Sequence, residues 1–109
     1  MPQPFSEDLR ATADAMFAES GRDAALVRNG TTTWPARIVV STYDPRYIDG
    51  EIIQHSDRRV YLRATGLAVA PDPDSDQLID NGETLRIITV RHLKPGELEL
   101  CYELQCRVM

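Results

Sequence analysis

The chain reads as a mainly β protein, a small β-barrel or sandwich with an N-terminal α-helix and a long protruding loop. Three observations carry that reading. From Leu98 to Val108, Leu98, Leu100, Tyr102, Leu104, Cys106 and Val108 alternate with Glu99, Cys101, Glu103, Gln105 and Arg107. That is the period-2 pattern of a strand with one wet face. Asn29-Gly30 lies between two apolar runs and favours a tight type I′ turn. Several short runs of this kind at regular spacing suit a small barrel or sandwich. A length of 109 residues gives a single domain, 1–109, with one modest core.

The elements follow in order. Residues 6–20 read as a helix: Ser6 serves as its cap, Glu7 and Asp8 sit in the first turn, and Gly21 ends it. Leu9, Ala13, Met16 and Phe17 form one apolar stripe, expected to pack on the local core. From Asp23 the period changes to 2, and 23–108 makes up the β-barrel. Ala24 to Arg28 is a first strand and Thr31 to Ser41 a second, with a bend or bulge at Trp34-Pro35, where proline cannot donate to a ladder. Trp34 reads as a core residue at that bend.

Residues 42–57 form an extended flexible loop, whose part from Gly50 to His55 has strand character. Arg58 to Ala64 is a further strand, and its cluster of Arg58, Arg59 and Arg63 reads as a solvated face. The acidic stretch from Ala70 to Asp76 breaks the chain and leads through a solvated turn to the Asn81-Gly82 bend. Glu83 to His92 and Leu98 to Val108 then form a hairpin around Lys94-Pro95-Gly96-Glu97.

Composition narrows the function. The net charge of −5 argues against a general binder of nucleic acid or anionic membrane. No apolar run has the length of a membrane span, and the first residues lack the pattern of a secretory signal, so the expected place of action is the cytoplasm or something assembled there. Cys101 and Cys106 point to opposite faces of one strand about 16 Å apart, which predicts buried, reduced thiols. His55 and His92 are isolated from any nucleophile or ligand pattern, and no phosphate-binding glycine loop or serine elbow occurs. No catalytic residue and no cofactor is expected.

Two stretches remain as candidate sites. Tyr43, Asp44, Arg46, Tyr47 and Ile48 form a polar, proline-containing run that carries aromatic and aliphatic side chains. Such a run belongs on the surface, where those side chains need a partner to cover them. Asp72, Asp74, Asp76, Asp80 and Glu83 match the spacing of positions 1, 3, 5, 9 and 12 of a calcium loop. Against a metal stand Gln77 where the loop wants glycine, the stiff Pro73, and Glu83 opening a strand.

The run Ile79-Asp80-Asn81-Gly82-Glu83-Thr84-Leu85-Arg86-Ile87-Ile88-Thr89-Val90-Arg91, then Lys94-Pro95-Gly96 and Tyr102-Glu103-Leu104-Gln105-Cys106-Arg107, resembles the end of tailed-phage head–tail joining proteins. Gly21 to Val27 and Tyr61-Leu62-Arg63 are similar to earlier strands of that family. The resemblance covers about residues 16 to 108.

It implies a small β-barrel with an appended helix, a connector (stopper or adaptor) without enzymatic activity. Such a subunit is a monomer when free and joins a ring, usually of six copies, in the virion neck after assembly in the host cytoplasm. Its partners would be sister subunits, the portal or adaptor protein and the tail terminator, with packaged DNA near only by proximity and no membrane. The implied anchor is the loop from Tyr43 to Asp57. Acids from Asp72 to Asp80 facing the channel would repel DNA during ejection. The alternatives are a small calcium- or ligand-binding β module and a phage-derived injection device.

Overall fold

Among the described residues, six antiparallel strands close into a barrel in the order β1-β2-β3-β6-β5-β4, with one helix outside it. The computed structural model describes the backbone of residues 4–42, 57–93 and 100–109, and side chains within 10–41, 57–93 and 100–109. The elements are α1 (Pro4–Ser20), β1 (Arg22–Arg28), β2 (Thr32–Thr42), β3 (Arg58–Arg63), β4 (Asp76–Asp80), β5 (Glu83–Leu93) and β6 (Cys101–Val108).

The inward rows follow the alternation. Leu26, Ile38, Val60, Leu62, Leu78, Leu85, Ile87, Tyr102, Leu104 and Cys106 form one buried cluster. Closure gives every described strand a partner on both sides over part of its length, which limits the open edge a short antiparallel chain would otherwise have to protect. Residues 64–75 then cross one end of the barrel. Leu67 and Val69 pack on the core, Pro71 is buried, and the Asn29 amide donates to the Ser75 carbonyl at 2.9 Å. This is the Asn29 end; the opposite end carries the β4–β5 turn at Asn81-Gly82.

Several expectations are corrected. The acidic stretch reads in sequence as a turn as far as Asn81-Gly82, yet Asp76–Asp80 is a strand, inserted between β1 and β5. Its signal is the alternation of Asp76, Leu78 and Asp80, hidden because the two ends of the inward row are acids. The helix starts at Pro4, so Ser6 lies inside it and does not cap it. Proline suits a helix's first position, where its missing N–H has no partner to lose.

The β1–β2 pairing runs without interruption from Arg22↔Ile38 to Arg28↔Thr32, so Trp34-Pro35 makes no bulge. Pro35 is tolerated because β3 pairs with β2 only as far as Ile38↔Leu62. The irregularity lies in β5 instead, between Ile87 and Thr89. It brings Val90 onto the core beside Ile87.

Both Asn-Gly turns carry positive φ at both residues, 53° and 69° at Asn29-Gly30 and 53° and 82° at Asn81-Gly82, as a type I′ turn requires. The second joins Asp80↔Glu83 with two residues. The first takes three, so Arg28 faces Thr32.

The helix has no basic residue in its last turn, and β2 supplies one. Arg37 donates from Nε to the Phe17 carbonyl at 3.0 Å and from Nη2 to the Ala18 carbonyl at 3.2 Å. A cation there satisfies orphan carbonyls and opposes the dipole's negative end. Gly21 donates its N–H to the same Phe17 carbonyl at 3.0 Å. A Cβ at Gly21 would stand 2.3 Å from that oxygen and 3.0 Å from the Ile38 carbonyl. Gly21→Ala is therefore expected to destabilise the fold by about 1–3 kcal/mol, because backbone on both sides must shift. An unchanged urea midpoint would refute this close approach.

Of the expected helix stripe, Leu9 lies outside the described side chains; among the others Phe17 is fully buried, Ala13 is half-buried, and Met16 remains 44% exposed. Within the described part of the helix, Phe17 is the one apolar anchor on the barrel.

Candidate functional site

The inward rows of the barrel end in charges, and cross-strand pairing neutralises them. At the Asn29 end, Arg28 donates from Nε and Nη2 to the two carboxylate oxygens of Asp76 at 2.8 and 2.9 Å. The Asp72 amide adds a bond to the same carboxylate at 2.8 Å. Arg28 also lies over the ring of Trp34, 5.1 Å from its centre; Trp34, expected in the core, is half-buried and packs against it from the edge. At the Asn81 end, Arg22 pairs with the fully buried Asp80, whose other oxygen has no hydrogen bond. Arg58 pairs there with Glu83 at 3.3 Å. Buried carboxylates of this kind require a partner, because an uncompensated charge in the interior is very costly.

The outer wall of β3, β6 and β5 is also organised by ions. The Asp57 carboxylate is fully buried and accepts from Arg107 Nε at 2.7 Å, from Arg107 Nη2 at 2.9 Å and from Gln105 Nε2 at 2.9 Å. Glu103 lies between Arg59 at 3.2 Å and Arg91 at 3.3 Å. The expected wet face of β6 is therefore half covered, with Cys101 and Gln105 at 6% and 4% exposure. Arg58 and Arg59 are not a solvated face either; they point to opposite sides of β3 and each is ion-paired. Sequence offers no signal for these partners, since each carboxylate and its arginine are far apart along the chain.

The predicted site residues fare differently. Tyr43, Asp44, Arg46, Tyr47 and Ile48, with the rest of the 43–56 loop and His55, lie outside the described residues, as does the 94–99 turn. Asp72 and Asp74 are exposed in the turn entering β4, where the Asp72 carboxylate accepts from the Asp74 amide at 2.9 Å and from Ser75 Oγ at 3.1 Å. Asp76 and Asp80 are buried and engaged by arginines, so neither carboxylate is available to a solvent channel. Among the described residues no group of three or more acids, histidines or cysteines converges as a metal site.

Burial pushes the Asp76 carboxyl up, but the hydrogen bond from Arg28, the backbone bond from Asp72 and the charge of Arg28 outweigh it. Its pKa therefore sits below the ordinary carboxylate value. A carboxyl depressed in the folded state adds stability at pH above its unfolded value, and that stability is lost as pH falls through the folded value. Unfolding free energy should accordingly decline below about pH 4, and Asp76→Asn should flatten the decline. Urea titrations of both proteins across the acid range check this; equal slopes would exclude Asp76 as the group responsible.

Both cysteines are buried and unbridged, as expected. Burial raises the Cys106 thiol to about 12, with Arg58 lowering it and Asp57 raising it. A thiol so protonated is a poor nucleophile. His92 packs edge-on against Tyr102 at 5.1 Å. A shallow cleft of about 140 Å³, lined in part by Arg37, Arg63 and Leu67, is smaller than pockets that enclose organic ligands. What the described residues offer is an outer surface, not an interior.

Comparison with known proteins gives no match to a family model, to a characterised protein or to a solved structure.

Proposed function

We propose that the chain is a head–tail connector subunit, a stopper or adaptor, of a tailed phage or prophage, with no enzymatic activity. In this reading it forms a ring between portal and tail that retains packaged DNA and docks the tail, and it resides in the virion neck. The observation that supports it is the closed small barrel with a single external helix, the architecture implied by the resemblance of the C-terminal hairpin. A barrel filled by its own side chains has to act through its outside, and a ring of copies multiplies weak outer contacts.

Acids facing the channel now reduce to Asp72 and Asp74, since Asp76 and Asp80 are turned inward. The loop residues Tyr47 and Ile48 remain the proposed partner anchor.

Deletion of the gene from an inducible prophage, followed by electron microscopy of the lysate, tests the proposal. DNA-filled heads and separate tails are expected, with joined particles restored by the gene in trans. Normal numbers of joined particles from the deletion would overturn it. Tyr47→Ser with Ile48→Ser should leave the fold intact and give the deletion phenotype if that loop is the anchor.

A further inference from the structure

The two sides of β5 are paired unequally. Its β6 side is paired from Leu85 to Leu93, whereas on the other side β4 ends at Gln77↔Arg86. From Ile88 to Arg91 no described strand lies on that second side. The segment 64–75 crosses the same end of the barrel but bonds at β1 instead, where Arg28 donates to the Ala70 carbonyl and the Asn29 amide to the Ser75 carbonyl. Alternate residues of an antiparallel strand send their N–H and C=O groups to opposite sides. The stretch therefore presents donors and acceptors without a sheet partner, a template for another extended chain.

The charges beside this edge have one sign. Arg86, Thr89 and Arg91 are exposed along β5, while Val90 packs on the core. The cross-strand neighbours of Arg86 are Gln77 and Arg107, neither of them an acid. On the outer wall of β3, β6 and β5, Arg59, Arg86, Arg91 and Arg107 stand against two described carboxylates, Glu103 and Asp57. The wall is basic although the whole chain carries a net charge of −5.

We propose that the open side of β5 from Ile88 to Arg91 receives an extended, acidic segment of a partner protein, which joins the sheet as a further strand. Main-chain bonds attach it, and acids on its outward face meet Arg91 directly and Arg86 diagonally. A second copy of this chain is a poor occupant. Antiparallel pairing of two such edges about the middle of the stretch sets Arg86 of each copy towards Arg91 of the other, and like charges so placed oppose pairing. A nucleic acid would satisfy the arginines, but its phosphates only accept and leave the carbonyls of the edge without donors. The net negative charge is spread over the chain and screened beyond about 8 Å at physiological salt, so the local wall decides. The inference goes beyond the connector reading and does not depend on it.

Nuclear magnetic resonance titration of the purified chain tests the edge, with a synthetic peptide of alternating glutamate and valine about eight residues long as the probe. Amides of Ile88 to Arg91 that point away from β6 should exchange freely in the free chain and slow when the peptide binds. The same peptide with methylated backbone nitrogens keeps its charge, loses its donors and should not bind. Arg91→Glu should weaken binding of the glutamate peptide about tenfold and turn the preference towards a peptide of alternating lysine and valine. The Arg91 side chain is 75% exposed, and matched circular dichroism melts will show that the fold is kept.

No change at these amides at any peptide concentration would overturn the proposal, as would equal binding of the methylated peptide, or of the lysine peptide, by the unaltered chain. So would protection of the same amides in the free chain, whether constant or rising with protein concentration as a second copy would make it. A DNA duplex that protects them more strongly than the glutamate peptide would also overturn it. No phage component enters this assay, so its failure leaves the connector reading to the deletion phenotype.

Discussion

Replacing Asp57 with alanine should destabilise the protein by about 3 kcal/mol, near the lower bound for breaking a buried ion pair. The Asp57 carboxylate is sealed from water and, among the described residues, accepts two bonds from Arg107 and one from Gln105. Its removal takes one acceptor from the Gln105 amide and from the Arg107 guanidinium in a wall that is half covered. Arg107 is 29% exposed at its side chain, so water recovers part of the loss, and the lower bound applies. Asp57→Asn keeps the shape and one acceptor oxygen and should cost less than alanine. Replacing Asp57 and Arg107 together with apolar residues should cost less than the sum of the single changes, because no charge is then stranded. Urea unfolding with an unchanged m-value provides the measurement. A loss under about 0.5 kcal/mol for Asp57→Ala, the range of ordinary surface changes, would show that the β3–β6 seam does not depend on this network.

Phe17→Ala should produce the other large effect, about 3–5 kcal/mol, and it should be local. Phe17 is the one fully buried residue of the described part of α1, with Ala13 half-buried and Met16 44% exposed. Truncation removes the apolar contact that holds the helix to β2 and β3 and leaves Arg37 bonding the carbonyls of a helix with no anchor. The barrel core shares no element with the helix, so its strands should survive. Hydrogen exchange should therefore rise through residues 4–20 while β5 and β6 stay protected. Uniform loss of protection across β5 and β6 would instead make the helix an integral part of the barrel's cooperative unit. In the connector reading, the same variant separates a helix that merely decorates the barrel from one that takes part in joining heads to tails.

Much of the fold is legible in local patterns. The alternation around Tyr102, Leu104 and Cys106 places those side chains on one face of a strand, and they are core residues. Asn29-Gly30 and Asn81-Gly82 mark turns because few other residues accept positive φ at both positions. Strand β4 escapes notice because Asp76 and Asp80 look like solvent-facing residues until their arginines are in view. The flat reading of Arg58 and Arg59 fails for the same reason: their partners Glu83 and Glu103 belong to other strands. The calcium-like spacing of the acids is real in sequence, but β4 holds Asp76 and Asp80 at opposite ends of one extended inward row, each on its own arginine, whereas a metal loop curls its acids round one point.

The sequence by itself determined the β class, the separate helix, the positions of the Asn-Gly turns and the reduced state of the thiols. These depend on neighbours within a few residues, where periodicity and backbone preference act. Only the tertiary structure decided the closure of the barrel and which charges are spent within it. Arg22 meets Asp80 across 58 positions, Arg107 meets Asp57 across 50 and Arg28 meets Asp76 across 48. The energy of a buried charge is set by what lies within a few ångströms of it, and no local pattern encodes a neighbour that far away along the chain.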